Sequence, residues 1–442
     1  MNTPITTVEQ LRSTVNRVIF AQPVRDLHTH LYPPTFGTPV PNSTGKTDPR
    51  GLMLWGVDEL VTYHYLVAEV YRVVPATRLP YEQFWKMTKR QQADHIWREL
   101  FVERTPISEA CRGVLTALQK LGLDPNEKSL DGYRRYFDQQ DPDRYIDKVM
   151  QIANVSSITM TNPVFDDNER ERWLQGVPRD PRFTAVLRID PLLRNWPEAA
   201  KKMSQWGYRV TEEISDATIA EVRRFLGDWI DRQEAIYLAV SLPPDFRHPA
   251  SDESSIARQG QTILEKAVLP ICSERNLPFA MMIGSRLRVN PALGDAGDMC
   301  GKSDIQSVTN LCLQFPSNKF FVTMLARENQ HELCVAARKF GNLMPFGCWW
   351  FLNNPSLITE IETMRIELLG TSFIPQHSDA RVLDQLIYKW DHSRHIIASV
   401  LTGKYADLTQ TGRHVTEADI TRDVKLMLEG NFTEFVHRPT NG

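Results

Sequence analysis

PVRDLHTH, residues 23–30, is the stretch on which the reading of the whole chain turns. It makes a short strand that delivers two imidazoles, His28 and His30, to its tip. Side chains alternate faces along a strand, so residues two apart share a side and can share one ion. Eleven histidines in 442 residues would give roughly 0.3 such pairs by chance. The pair therefore takes its meaning from the fold built around it.

Working outward, short β-rich runs recur past residue 150: SSITMTN (156–162), FTAVLRID (183–190), AIYLAVSLP (235–243) and PFAMMIG (278–284). KFFVTML (319–325), LMPFGCWW (343–350) and TSFIPQHSD (371–379) follow. Several are almost continuously apolar, as expected of parallel strands covered on both faces. Helical patterns such as 219–232 and 330–340 lie between them. With 23–30 the count reaches eight, which favours an α/β fold of the (β/α)8 TIM-barrel type over an open sheet.

More than a hundred residues separate the first strand from the second. Segments 57–71, 81–101 and 106–121 carry helical patterns, and the Pro/Gly/Ser/Thr-rich piece 32–51 reads as a loop. We read 1–442 as one barrel domain with a helical insertion, about 52–150, above the C-terminal ends of the strands. At the N-terminus, Thr6 and Glu9 form an expected capping box opening a helix with Val8, Leu11, Val15 and Val18 on one side.

Composition excludes several functions. A net charge of −3 supplies no general basic field for nucleic acid. No apolar run approaches the roughly 20 residues that span a bilayer. No basic-then-apolar leader opens the sequence, and the six cysteines form no CxxC pair, which suits reduced core thiols in a cytoplasmic protein.

In such a barrel the working groups sit at the C-terminal strand ends. That rule selects His28 and His30 on strand one, Arg188 and Asp190 on strand three, and Arg327, Glu328 and Asn329 beyond strand six. It also selects Trp349 and Trp350 on strand seven, and His377, Ser378 and Asp379 on strand eight with Arg381 just beyond. Strands one and eight are neighbours in a closed barrel, so Asp379 can complete a two-His, one-carboxylate site; its alternative is a helix N-cap. Trp349 and Trp350 point to opposite faces of a regular strand, and Trp349 is the one assigned to the pocket. His377 shares parity with Asp379, and belongs either in the pocket or, hydrogen-bonded, in the core. The charged run 166–170 reads as a solvated loop with a helix cap.

The sequences DLHTHL (26–31), TYHYLVAE (62–69), LRIDPL (187–192), FGCWWFLNNP (346–355) and PQHSDARVLDQLIYKW (375–390) resemble the uronate (glucuronate) isomerase family of the amidohydrolase superfamily, in a divergent bacterial branch. The resemblance implies that His28, His30 and Asp379 bind one divalent ion, usually zinc. It implies further that His64 and Tyr65 enter from the insertion, that Arg188 and Arg381 hold the substrate, and that Tyr65 and Asp379 share proton transfer at C2. The implied reaction interconverts D-glucuronate with D-fructuronate and D-galacturonate with D-tagaturonate through an enediol. Manganese, cobalt and nickel accept the same ligands. Tyr65 acting as a base needs a nearby positive charge, because an ordinary phenol titrates near 10.

Two other readings compete. A metallohydrolase of the same superfamily would act on a sugar-acid lactone, ester or amide, but strand five has no histidine and strand four no lysine or glutamate to bridge two metals. A non-enzymatic sugar-acid binder would have no need of the ligand triad together with Tyr65. Barrel enzymes are commonly homo-oligomers, and that is the expectation here.

Overall fold

The computed structural model describes residues 4–37, 51–161, 163–250 and 255–439. Most of the loop expected at 32–51 therefore lies outside the described residues. Seven parallel strands carry the architecture. They are β1 (Val24–Thr29), β2 (Val155–Met160), β3 (Phe183–Ala185, resumed after Val186 by Leu187–Arg188), β4 (Leu238–Leu242), β5 (Phe279–Ile283), β6 (Phe320–Met324) and β7 (Leu343–Pro345). Ladders run in sequence order from β1 to β7, and β3 joins a three-stranded group to a five-stranded one. Every residue of β4, β5 and β6 is buried. Both of their faces are covered: Phe279, Met281 and Ile283 pack outward under helices, while Ala280 and Met282 join Ala239, Phe321 and Phe346 inside. Phe432 and Phe435 of the C-terminal helix close that inner core.

The eighth expected strand is not a regular one. Only Ile374 pairs with Phe346; Pro375 has no N–H to donate, and the chain continues irregularly to Asp379. It still bridges the gap. Ile374 exchanges hydrogen bonds with Pro345 and Gly347 at 3.1 and 2.9 Å, the Asp379 N–H donates to His28 at 3.0 Å, and the His30 N–H donates to Ala380 at 2.7 Å. The last segment thus completes the TIM-barrel ring and sets Asp379 against the end of β1.

From Val57 to β2 the chain is mostly helical. The expected helix over 57–71 is two, Val57–Val61 and His64–Val73, and the break at Thr62–Tyr63 places His64 and Tyr65 in a helix's first turn. The 26-residue helix Gln385–Gln410 ties this region down: Asp384, just before it, accepts from the Gly56 N–H at 2.7 Å and from the Tyr145 hydroxyl. The first helix, Val8–Ala21, is capped by Thr7, which accepts from the Gln10 N–H, rather than by the expected Thr6–Glu9 box. Val8 accordingly faces solvent, and Ile19 joins Leu11, Val15 and Val18 inside. No helix among the described residues is long and apolar enough to cross a membrane.

Candidate active site

The tip of β1 and the closing segment meet in one cluster. Asp379 Oδ1 lies 3.2 Å from His28 Nε2 and 3.5 Å from His30 Nε2. Burial, reinforced by the Arg188 and Lys389 charges, pushes the His28 imidazole down to about 3. Burial also holds His30 well below its ordinary value, against the pull of Asp379. Both rings are therefore neutral at physiological pH, and these close contacts are not ion pairs. They are not hydrogen bonds either: His28 Nδ1 and Nε2 and Asp379 Oδ1 are buried with no hydrogen-bond partner. Such atoms are costly to bury unsatisfied. Among the described residues, these three alone form a group that could hold a metal ion, with ligand atoms within 4.8 Å of one another. Two neutral imidazoles and a carboxylate suit a divalent cation, and a three-ligand set leaves positions open for substrate.

The surroundings hold this carboxylate in place through the main chain. Asp379 sits at φ +50°, a left-handed conformation that Asp tolerates better than most residues. Lys389, buried on the helix Gln385–Gln410, donates to the Ser378 carbonyl at 2.6 Å. Asp26 accepts from the Ser378 N–H at 3.1 Å and from Trp390 Nε1 at 2.8 Å, with its carboxyl pushed up to about 6 by burial. His377 is also buried, 4.8 Å from His28 between ring centroids, but neither ring nitrogen has a partner, so the hydrogen-bonded core role does not hold. Its ring lies over Gly347, where a Cβ would come within 2.0 Å of it.

Two cavities meet at Leu54 and Arg381. One, of about 630 Å³, is lined by His30, Tyr32, Arg188, Asp190 and Asn168 as well as Arg381. The other, of about 820 Å³, carries Tyr63 and His64. Arg188 is already engaged: Nε and Nη2 grip the Asp190 carboxylate at 2.8 and 3.1 Å, and Nη2 also reaches Ser241 at 2.7 Å. Arg381 is half-exposed and 3.4 Å from Asp295.

Tyr65 has a buried hydroxyl without a partner. Burial, then the neighbouring Tyr63 and Asp379, hold its phenol well above the ordinary value, and Lys389 Nζ stands 6.0 Å from its ring centroid. In its neutral form the hydroxyl is a hydrogen-bond donor.

Trp350 makes the contact that was expected of Trp349. Strand β7 stops at Pro345, Gly347 turns the chain at φ +66°, and the strand parity used to choose Trp349 no longer applies. Trp349 is buried in the inner core, while Trp350 donates from Nε1 to His64 Nε2 at 3.1 Å. Indole is only a donor, so the His64 ring proton sits on Nδ1. Burial, followed by the Arg381 charge, keeps this imidazole neutral, down at about 3. Trp350 itself holds φ +48°, which a bulky residue adopts only where its surroundings enforce it, here with Phe351 stacked at 4.6 Å. Trp350→Phe is expected to lower kcat/KM about fivefold, the worth of one hydrogen bond of ~1 kcal/mol. Steady-state kinetics check this, and unchanged kcat/KM would remove His64 orientation as the role of Trp350.

Sequence reasoning missed Lys389, Asp26, Tyr32 and Glu169, and it set Trp350 aside in favour of Trp349. Glu169 falls in the run read as a solvated loop with a cap. Asp166 is indeed the cap, accepting from the Asn168 and Glu169 N–H groups, but the Glu169 side chain is buried. The strand-six residues lie outside the cluster: Arg327 pairs with Glu360, and Asn329 is tied to the Ser303 backbone.

A scan of protein-family models finds no match, and a search of the curated proteins finds none. Among solved structures, a uronate isomerase of Bacillus halodurans C-125 superposes with TM-score 0.91 at 53% identity, covering 98% of each chain. The chain belongs to the uronate isomerase family. A uronate isomerase of Thermotoga maritima (TM-score 0.75, 12% identity, 97% of each chain) shares the fold. So does a glucuronate isomerase of Caulobacter crescentus, at TM-score 0.74 and 13% identity over 98% of this chain and 97% of that one. Within the uronate isomerase family the barrel is thus kept where most of the sequence has changed.

Proposed function

We propose that this chain is a metal-dependent uronate isomerase interconverting D-glucuronate with D-fructuronate and D-galacturonate with D-tagaturonate. The observation that carries the reading is the cluster of His28, His30 and Asp379, in which the His28 nitrogens and Asp379 Oδ1 are buried without hydrogen bonds, opening through His30 onto a cavity that holds two arginines. Isomerisation moves a proton from C2 of the aldose to C1 through an enediol, and the difficulty lies in the charge that develops on oxygen as the proton leaves. One divalent ion on His28, His30 and Asp379, zinc first with manganese, cobalt or nickel as alternatives, would stabilise that charge as a Lewis acid. The guanidinium groups of Arg188 and Arg381 and the Nδ1–H of His64 add donors to substrate oxygens. Trp350, by accepting no proton and giving one, fixes which His64 nitrogen faces the cleft. Proton transfer divides between Asp379, the carboxylate that takes the C2 proton, and Tyr65, the phenol that gives one back. The protein is a single barrel domain with the insertion 52–150, working as a cytoplasmic homo-oligomer on a small sugar acid, without nucleic acid or membrane.

Incubating the metal-loaded protein with D-glucuronate in deuterated water and following the sugar by NMR tests this. Ketose carrying deuterium at C1 is the expected product. Absence of turnover on every uronate sinks the isomerase reading, and ketose without deuterium sinks the solvent-exchanging enediol.

A further inference from the structure

Beside the metal cluster stands a second built constellation that the mechanism leaves unused. Tyr32, two residues past His30, lines the same cavity as Arg188 and Arg381. Its hydroxyl is 3.1 Å from Glu169 Oε2, and Trp173 Nε1 donates to Glu169 Oε1 at 3.1 Å. The Tyr32 ring is wedged by Phe36, 5.5 Å between centroids, and Phe36 meets Trp173 edge-on at 5.3 Å. Glu169 is buried, and no side-chain cation hydrogen-bonds to it among the described residues.

A uronate carboxylate has about four acceptor sites and needs several donors. Arg188 cannot satisfy them alone, because its Nε and Nη2 edge is taken by Asp190. Among the described residues its Nη1 has one long 3.5 Å contact, to the Thr161 carbonyl. Arg381 on the same cavity is half-exposed and 3.4 Å from Asp295, which leaves room for a neutral donor beside Arg188.

Resting on the isomerase reading, we infer that the Tyr32 hydroxyl is a substrate-binding donor to the carboxylate end of the sugar acid, and that Glu169 is the positioning residue that aims it. Burial pushes the Glu169 carboxyl up to about 8, so at neutral pH it is a carboxylic acid. The acid O–H donates to the Tyr32 oxygen, its other oxygen accepts from Trp173, and the Tyr32 proton is left to point into the cavity. An ionised Glu169 would instead capture that proton.

The test is steady-state kinetics and metal content on Tyr32→Phe, Glu169→Leu and Glu169→Gln beside the wild type, with calorimetric binding of D-glucuronate read in parallel. Tyr32→Phe is expected to raise KM and Kd about tenfold, leave kcat within threefold and retain its metal. Glu169→Leu raises KM similarly, and Glu169→Gln, whose amide reproduces the donor and acceptor of a neutral acid, restores most of the affinity. With D-glucuronamide, which lacks the carboxylate charge, the gap between Tyr32→Phe and wild type narrows. Unchanged KM and Kd in Tyr32→Phe overturn the inference, as does a gap undiminished with the amide. Loss of metal together with kcat overturns it too, since Tyr32 would then be only a prop for His30. A wild type that binds uronates through Tyr32 but turns none over breaks the isomerase reading and leaves the contact standing.

Discussion

Asp379→Asn abolishes uronate turnover, a fall in kcat of about 10³-fold or more, while the barrel stays folded. Removing a general base alone costs on the order of 10²–10⁴-fold, and here the same substitution strips the only negative charge from the ligand set. Asparagine is nearly isosteric and also tolerates the left-handed backbone that Asp379 occupies at φ +50°. The bonds that fix this segment are main-chain ones: the residue 379 N–H to the His28 carbonyl, His30 to Ala380, and Lys389 to the Ser378 carbonyl. None depends on the carboxylate, so circular dichroism changes little and the melting temperature falls by no more than removal of the metal lowers it. Metal affinity, read by competition with a chromogenic chelator, falls in parallel. Activity within tenfold of wild type would refute Asp379 as ligand and base together.

The same contacts explain which parts of the molecule the sequence discloses. Runs such as FAMMI and FFVTM are legible because both faces of a parallel strand are buried, leaving a continuous apolar signal. Strand eight reads as a strand in composition, yet Pro375 and the left-handed Asp379 break its ladder. No local rule reveals that the broken segment still closes the ring. Strand parity fails for Trp349 and Trp350 for a related reason: Gly347 turns the chain before the period-two rule reaches them. The buried ionisable residues are the hardest to see. Glu169 sits in DDNERER, where six of seven residues are charged, and nothing local marks it as the one that turns inward. Lys389 carries a faint signal, since LIYKW surrounds it with apolar and aromatic residues in the second turn of a helix. His28, His30 and Asp379 were legible because the HxH spacing and the strand-end rule both operate locally, and barrel closure brings the two together.

Stripping the divalent ion is expected to abolish turnover and to lower the melting temperature, both reversibly. Without a cation, His28 Nδ1 and Nε2 and Asp379 Oδ1 are buried polar atoms with no hydrogen bond, beside the likewise unpartnered nitrogens of His377. The ion supplies what packing denies them, and it binds the folded state alone, since the ligands lie some 350 residues apart in sequence. At a free concentration one hundred times Kd, such a ligand stabilises by about 2.7 kcal/mol. With an unfolding entropy near 2.1 cal/mol/K per residue, a chain of 442 residues then melts about 3 °C lower when stripped. Differential scanning calorimetry after exhaustive dialysis against chelator measures the shift, and adding back zinc, manganese, cobalt or nickel singly ranks the ions by restored turnover. His28→Ala separates occupancy from chelator side effects: it should lack turnover at any tested metal concentration, and its melting temperature should no longer respond to chelator. Full turnover by protein holding far less than one ion per chain would remove the metal from the reaction. A chelator shift that persists undiminished in His28→Ala would place the stabilising ion at some other site.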